Sequence, residues 1–379
     1  MKVLIIGTAY PLRGGIAHFN ALLASHLGTH HSVETITFSR QYPSIFFPGK
    51  TQEEVGSDVG TMAAPRMVDS INPINWIQVG REVRRRKPDL LIFKYWMPFF
   101  GPCFGTIARI AKKNGHTKVL FICDNVIPHE RRAGDILLTK YAFSSADFFI
   151  VQSVAVENDL RNFLPDAVYR KVPHPVYENF GESIPKETAR KHLNVTNRKV
   201  ILFFGYIRAY KGLRVLLHAM KKLSERGHGD ILLLIVGECY DDEAKYRVLA
   251  KELHVESQVR FVSDYIPNER VKFYFSAADV VVLPYLSATQ SGIAQIAYNF
   301  TKPVIVTDVG GLAEVVQDNR TGFVIPPNDP DQLADAVDRF YKEEKEQEFT
   351  LNVEKEKRKY SWENFVAAIE DLVGGSDHK

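Results

Sequence analysis

Ten short runs of Val, Ile, Leu and Phe punctuate this chain, and they constrain its fold more than any other feature. In the first half they are KVLII (2–6), VETITF (33–38), LLIF (90–93), KVLFI (118–122) and FFIV (148–151). In the second they are KVILFF (199–204), ILLLIV (231–236), VRFV (259–262), VVVL (280–283) and PVIVT (303–307). A strand that is apolar without alternation is buried on both faces, which happens when helices cover both sides of a parallel sheet. The intervening segments supply those helices. Ile16, Phe19, Leu22, Leu23 and Leu27 recur at helical spacing, as do Leu213, Leu216, Leu217, Met220 and Leu223. Between the two sets lies VPHPVYENFGESIPKETARKHL (172–193), with three prolines and Gly181, so a linker is expected near 173–197. The expectation is an α/β chain of two consecutive doubly wound domains, residues 1–175 and 195–345. A closing amphipathic helix, 361–375, has Ser361 as N-cap and Glu363 in its first turn, and is expected to pack back on the first domain.

A length of 379 residues fits two such domains. The net charge of +3 by itself gives no argument for a polyanionic partner, and no nucleic acid is expected, but the charge is unevenly distributed. Residues 1–180 hold 21 Lys and Arg against 15 Asp and Glu; the remainder holds 27 against 30. A basic first half suits phosphates or an anionic membrane surface. Three cysteines, Cys103, Cys123 and Cys239, without a CxxC, fit a reducing compartment. MKVLIIGTAY breaks at Gly7 before any cleavage site, and no run of 18 apolar residues exists. A cytoplasmic protein, peripheral at most to the inner face of a membrane, is expected.

Two stretches have the composition of phosphate sites. In GTAYPLRGGIAHFNALL (7–23) a strand enters a loop with Gly7, Gly14 and Gly15, and a helix starts at Ile16. Glycines let backbone approach a ligand, and free N–H groups at a helix start favour an anion. In FFGYIRAYKGLRVLL (203–217) Gly205 turns the chain, and Arg208 and Lys211 precede a helix near Gly212. A rigid guanidinium fork and a mobile ammonium at a sheet's carboxyl edge suit a diphosphate whose charge grows as it departs.

GYIRAYKG (205–212) resembles the G-x-x-x-x-x-K-G signature of retaining GT-B-type glycosyltransferases, family 4, also called group 1. LLIVGE (233–238), VRFVSDYIP (259–267), AADVVVLPY (277–285) and KPVIVTDVGGLAEVV (302–316) resemble that family's successive second-domain segments, in order. GGIAHFNALLASHL resembles its first-domain glycine loop and helix. The likeness covers nearly the whole chain and is strongest over 199–326. It implies two Rossmann-like domains facing a cleft, with a nucleotide diphosphate sugar bound mainly by the second. Arg208 and Lys211 would contact the diphosphate, with Gly205 at the turn, and Gly14 and Gly15 would close over it. Glu238 and the backbone at Tyr265 and Ile266 would lie near the nucleoside.

The family's donor loop carries two glutamates eight positions apart, and here neither is present. The first falls at Ala288 or Thr289 and the second at Ile296 or Ala297, within a run from Leu286 to Thr307 that has no carboxylate. Thr289, Gln290, Ser291, Gly292 and Ile293 remain, with Gln295 beyond: hydroxyls, amides and helix-start N–H groups that can hold phosphate and sugar hydroxyls without charge. The expected function is retaining transfer of a sugar from a nucleotide diphosphate sugar to a saccharide or lipid-linked acceptor, with the departing diphosphate taking the acceptor's proton. A sugar-nucleotide epimerase and a non-catalytic nucleotide-sugar-binding subunit stay open as alternatives.

On the acceptor side, FICDNVIPHERRAGD (121–135) offers Asp124 or Asn125 where the family often has a sugar-contacting histidine, with His129 later. Asn125 and His129 are candidates to hydrogen-bond the sugar or help a proton move. In FKYWMPFFGPCFG (93–105), Tyr95, Trp96, Phe99 and Phe100 can stack on an acceptor or pack beneath it. REVRRRKPD (81–89) is basic enough to meet anionic lipid, or simply ends a solvated helix. No Asp-x-Asp stands at a strand end and no His/Cys cluster exists, so neither a metal nor another cofactor is expected.

Overall fold

The computed structural model describes residues 1–43, 53, 64–127 and 132–375. His129 lies outside the described residues. The chain divides into two compact units, Met1–His174 with Trp362–Lys379, and Pro175–Ser361.

The first unit runs β1 (Lys2–Ile6), α1 (Gly15–Leu27), β2 (Ser32–Arg40), β3 (Arg66–Asp69), α2 (Pro73–Arg86), β4 (Leu90–Tyr95), α3 (Gly101–Lys112), β5 (Lys118–Cys123), α4 (Asp135–Phe143), β6 (Phe148–Val151), α5 (Val154–Phe163) and β7 (Tyr169–Lys171). Its strands pair in parallel in the order β3-β2-β1-β4-β5-β6-β7. The second unit runs α6 (Lys186–Leu193), β8 (Lys199–Phe204), α7 (Leu213–Glu225), β9 (Ile231–Val236), α8 (Glu243–Glu252), β10 (Val259–Val262), α9 (Asn268–Ala277), β11 (Val280–Leu283), α10 (Gly292–Asn299), β12 (Val304–Thr307), α11 (Leu312–Val315), β13 (Gly322–Ile325), α12 (Pro330–Lys342) and α13 (Lys345–Glu356). Its sheet is parallel in the order β10-β9-β8-β11-β12-β13. The last helix, α14 (Trp362–Gly374), returns to the first unit.

Both units are therefore doubly wound α/β domains, as the apolar runs implied. The central strands are buried but for the lysine that opens β1, β5 and β8; β9 and β11 are buried throughout. Three strands were not anticipated: β3 (RMVD) and β7 (YRK), which are not apolar runs, and β13 (GFVI), whose apolar run is short. All three are sheet edges, where a strand is short and needs no unbroken apolar run. Each sheet reverses its winding once, between β1 and β4 and between β8 and β11, and ligands of such sheets bind beyond the carboxyl ends at that switch.

The second unit takes in α6 and α13, on either side of 195–345. Part of the stretch read as linker is anchored: Lys186 and Arg190 of α6 both pair with the buried Asp279 carboxylate, Arg190 at 2.7 Å. Asp279 also accepts the Val200 amide at 2.7 Å, so α6 is fastened to the start of β8. In the first unit α14 rests on α1, with the Trp362 ring 5.2 Å from that of Phe19 and stacked on His26 at 5.4 Å.

Candidate functional site

In the second unit β8 ends at Phe204, and Gly205 (φ 98°) turns the chain away from the sheet. Ile207 then pairs with the loop after β9: its amide donates to Glu238 O at 2.9 Å, and the Tyr240 amide donates back at 3.0 Å. A 3-10 turn over Ala209–Lys211 leads to Gly212 (φ 71°) and α7. A side chain at Gly212 would put its Cβ 1.8 Å from the Pro284 carbonyl oxygen, so only glycine permits this approach of the β8 loop to the β11 loop. The Leu286 amide donates to Tyr210 O at 2.7 Å and holds the two loops together. They flank the switch point between β8 and β11.

The cations of this loop differ in setting. Arg208 is exposed, its guanidinium 5.0 Å from the centroid of Tyr240, which stacks on Tyr206 at 4.6 Å. Lys211 is 7% exposed. Its Nζ lies against Gly205, 3.0 Å from where a Cβ would stand, and Ile293 Cδ1 lies equally close to that point. The nearest charged influence on Lys211 is Arg208, and neither cation makes an ion pair among the described residues. Burial, with Arg208 adding repulsion, pushes the Lys211 ammonium down to about 7. A buried cation without a carboxylate is costly to the fold and gains most from an incoming anion.

The loop after β11 completes the site. Ser291 caps α10 by accepting the Ile293 amide at 3.2 Å, and the Tyr285 hydroxyl lies 3.4 Å from Ser291 Oγ. The Tyr285 ring, buried, sits 5.5 Å from Lys211 Nζ. Thr307 Oγ1 donates to Tyr285 O at 2.6 Å, and Gly311 donates to Thr289 O at 2.9 Å, which fixes the loop from the β12 side. Gly292 lies against Tyr177: a Cβ there would come 3.0 Å from that ring. Gln295, 1% exposed on the first turn of α10, leaves its Oε1 without a hydrogen bond among the described residues. Gly205, Lys211 and the start of α10 (Ser291, Gly292, Ile293) are thus drawn together, with Arg208 at the rim and Thr289 and Gln290 half-buried in the loop. Glu238 is buried and joins through its backbone carbonyl. Tyr265, half-buried, and Ile266, buried, follow β10 at the far edge of the sheet. Tyr285, Tyr177 and Tyr240 had no sequence signal beyond being aromatic.

In the first unit Gly14 (φ 115°) and Gly15 open α1, as their spacing implied. Thr8 O accepts from the buried Asn20 amide of α1 at 2.9 Å, which ties the β1 loop to the helix. Asn125 donates to Trp96 O at 3.2 Å, and its buried Oδ1 has no hydrogen bond among the described residues. Of the four aromatics after β4, Tyr95 and Phe100 are buried, Tyr95 with its hydroxyl on Thr139 at 2.9 Å; Trp96 and Phe99 are half-buried. The first pair is packing, and only the second has surface to offer.

The same sheet edge holds a cluster that sequence reading missed. Lys94, 1% exposed, ends β4 with its ammonium 2.6 Å from Asp124 Oδ1 and 3.0 Å from Gln152 Oε1, beneath the Phe19 ring at 3.6 Å. Burial lowers the Lys94 pKa, and the Asp124 carboxylate opposes that shift. The available signal was a single lysine inside the apolar strand LLIFKY. His18 on α1 is pushed down to about 4 by burial, so it is neutral at pH 7. Among the described residues no three His, Cys, Asp or Glu gather as metal ligands.

Known proteins resemble the chain in both units. Residues 185–372 match the family model described as Glycosyl transferases group 1. An uncharacterized glycosyltransferase, MJ1607, from Methanocaldococcus jannaschii is 31% identical over 45% of this chain and 43% of that protein. D-inositol 3-phosphate glycosyltransferase from Corynebacterium diphtheriae is 28% identical over 61% of this chain and 56% of that protein. The chain spans about half the length of the curated relatives it matches. Among solved structures, a glycosyltransferase from Rickettsia africae superposes with a TM-score of 0.77 at 15% identity, covering 100% of this chain and 99% of that one. Sucrose-phosphate synthase from Thermosynechococcus elongatus gives 0.75 at 20% identity, covering 99% of each chain. Anabaena HepE in complex with UDP gives 0.76 at 15% identity, covering 99% of this chain and 100% of that one. At these identities the likeness is one of fold: two Rossmann-like doubly wound domains of the GT-B type.

Proposed function

We propose that this chain, whose residues 185–372 match the Glycosyl transferases group 1 family model, moves a hexosyl group from a nucleotide diphosphate sugar to a saccharide or lipid-linked acceptor with retention at the anomeric carbon. The observation that carries this is Lys211: a buried ammonium with no carboxylate partner among the described residues, set between the start of α10 and the exposed Arg208. Such a site suits the second phosphate of a diphosphate, whose charge grows as its bond to the sugar breaks. In the reaction the bond from the anomeric carbon to the diphosphate oxygen breaks, and the acceptor hydroxyl oxygen forms the new bond on the same face. The hydroxyl proton passes to the departing diphosphate. Ser291 Oγ, the Gly292 amide and the amide side chains of Gln290 and Gln295, on the loop after β11 and the first turn of α10, would hold phosphate and sugar hydroxyls in place of the absent glutamates.

The first unit would hold the acceptor, with Asn125, whose Oδ1 is an open acceptor, and Trp96 as contacts. Arg208 and Lys211 neutralise the charge a divalent cation would otherwise cover, so a chelator should leave transfer unchanged. Synthesis of a surface polysaccharide or glycolipid in the cytoplasm is the setting that suits such a reaction. A lipid-linked acceptor would be met at the inner membrane face, approached by the basic first unit. No helix among the described residues is long and apolar enough to cross a membrane.

The test is incubation with labelled nucleotide diphosphate sugars, beginning with UDP-glucose because the neighbouring HepE was crystallised with it. Transfer, or slow donor hydrolysis without acceptor, is expected of the wild type and should be lost in Arg208→Ala and Lys211→Ala while both retain their fold. Full activity in both variants overturns the diphosphate assignment. Epimer formation, or binding without turnover, would replace transfer with one of the two alternatives.

A further inference from the structure

The stretch that leads the chain into the second unit is buried without being regular. Pro175, Val176 and Tyr177 belong to no helix or strand, yet all three are buried. Connecting segments ordinarily run over a surface, so a buried one is held by specific neighbours. Tyr177 meets Gly292, the first residue of α10: a Cβ on Gly292 would stand 3.0 Å from Tyr177 Cε2 and 3.5 Å from its hydroxyl oxygen. Helical backbone gives glycine no advantage over alanine, so it is the ring that crowds a side chain here. The Phe180 ring stands 6.1 Å from that of Tyr177, at 61°, and backs it.

The same stretch reaches the far end of α10 through a second segment. The Val176 amide donates to Tyr360 O at 2.9 Å, at the end of the 3-10 turn Lys357–Tyr360. The Tyr360 ring stands 5.7 Å from that of Tyr298, in the last turn of α10. Both hydroxyls donate to Val315 O, Tyr298 at 2.9 Å and Tyr360 at 3.3 Å. A tyrosine from outside the helix thus meets each end of α10, and one hydrogen bond joins the segments that bring them. The far end is pinned by hydrogen bonds, whereas the start has the Ser291 cap and the Tyr177 ring. Ile293, next along, rests against Gly205, where Lys211 Nζ also lies. A shift of this first turn therefore moves the groups read as holding a phosphate.

We infer that Tyr177 is a positioning residue for the phosphate end of α10. Its ring sets where the Gly292 amide and the Ser291 hydroxyl stand relative to Lys211, and it acts through them. Coupling of this kind is reciprocal: an anion that fixes the start of α10 also steadies Val176–Phe180. That segment opens the second unit, so occupancy of the site is felt where the chain enters from the first. The inference rests on the diphosphate reading of this site.

Hydrogen exchange and calorimetry with inorganic pyrophosphate test it on the full chain, without nucleotide or transfer. Tyr177→Ala should speed exchange of the Gln295 and Ile296 amides, which close the first turn, about ten-fold. Exchange at Phe300, whose amide donates to Ile296 O, should not change. Pyrophosphate affinity should fall about ten-fold, the scale of one hydrogen bond to a charged group. Tyr177→Phe keeps the ring and should behave as wild type. Gly292→Ala, which reads the same contact if Tyr177→Ala fails to fold, should also lose about ten-fold in affinity. Gly292→Ala/Tyr177→Ala should bind no worse than Tyr177→Ala, because the methyl group then has room. Saturating pyrophosphate should slow exchange at Val176 and Tyr177 in the wild type. Wild-type affinity in Tyr177→Ala, equal losses in Tyr177→Phe and Tyr177→Ala, or losses that multiply in the double variant overturn the inference and leave the diphosphate reading standing. A wild type that binds no pyrophosphate overturns the diphosphate reading itself.

Discussion

Lys94 in the first unit and Lys211 in the second occupy similar ground. Each is buried at the carboxyl edge of a parallel sheet beside its switch point, and burial depresses the pKa of each. They differ in what answers the charge. Lys94 has Asp124 at 2.6 Å and Gln152 at 3.0 Å, so its cluster is complete within the protein. Lys211 has no carboxylate partner among the described residues, and the charged influence on it is another cation, Arg208. A buried pair is paid for in the fold, whereas a buried lone cation is answered only by a ligand. One lysine organises a sheet edge; the other, in the proposed reading, receives a diphosphate.

The same substitution at both positions separates the two roles. Lys211→Met should lower transfer about a thousand-fold, the scale of losing one stabilising group at a developing anion. It should also raise Tm below pH 7. Unfolded Lys211 keeps its proton to about 10.5 whereas the folded side chain releases it near 7, so burial of the charged form penalises the fold most fully below 7, and the penalty fades as pH rises. A drop in Tm at pH 6.5, followed by thermal denaturation, would break the comparison. Lys94→Met should cost about 3 kcal/mol in chemical denaturation, because Asp124 is left half-buried without its partner. Lys94→Met/Asp124→Leu should recover most of that loss. If the single variant is as stable as wild type, the Lys94 pair contributes nothing to the sheet edge.

Titration sharpens the contrast further. A diphosphate needs the charged form of Lys211, so calorimetric affinity for the donor should be flat below pH 7. Above it, affinity should fall by up to about ten-fold per pH unit until the pKa of the bound state is passed. Lys211→Met should abolish that slope. The smallest effect is expected at Tyr285. Tyr285→Phe removes a 3.4 Å contact to Ser291 and should raise the donor KM about three-fold with kcat unchanged. A large fall in kcat there would mean the hydroxyl touches substrate instead of steadying the cap of α10.

Much of this was legible in the chain because parallel sheets write their central strands as unbroken apolar runs. The edge strands β3 and β7 escaped because strands there need no such run. The turn from Gly205 to Gly212 was legible from residue order alone: a strand, a glycine, two cations and a helix in immediate succession bring their groups together without help from distant sequence. Lys94, Asp124 and Gln152 come from three separate strand ends, 28 or more residues apart, and only the register of β4, β5 and β6 makes them neighbours. Tyr177 against Gly292 joins residues more than a hundred positions apart, so no local pattern announced it. Part of 173–197 read as linker because Pro and Gly dominate it, yet α6 is held by Asp279, whose role depends on a contact 89 residues away.

The position of α14 has a consequence for synthesis. Phe19, the ring that roofs Lys94, is covered from above by Trp362 and Phe365. Once residues through Ser361 have emerged from the ribosome, Pro175–Ser361 can assemble whole, yet the unit of Met1–His174 still lacks its lid. The amino-to-carboxyl order of maturation of the two units is thereby inverted: the sheet made earlier of the two is sealed later, and holds an open aromatic seam until residues 362–374 have emerged.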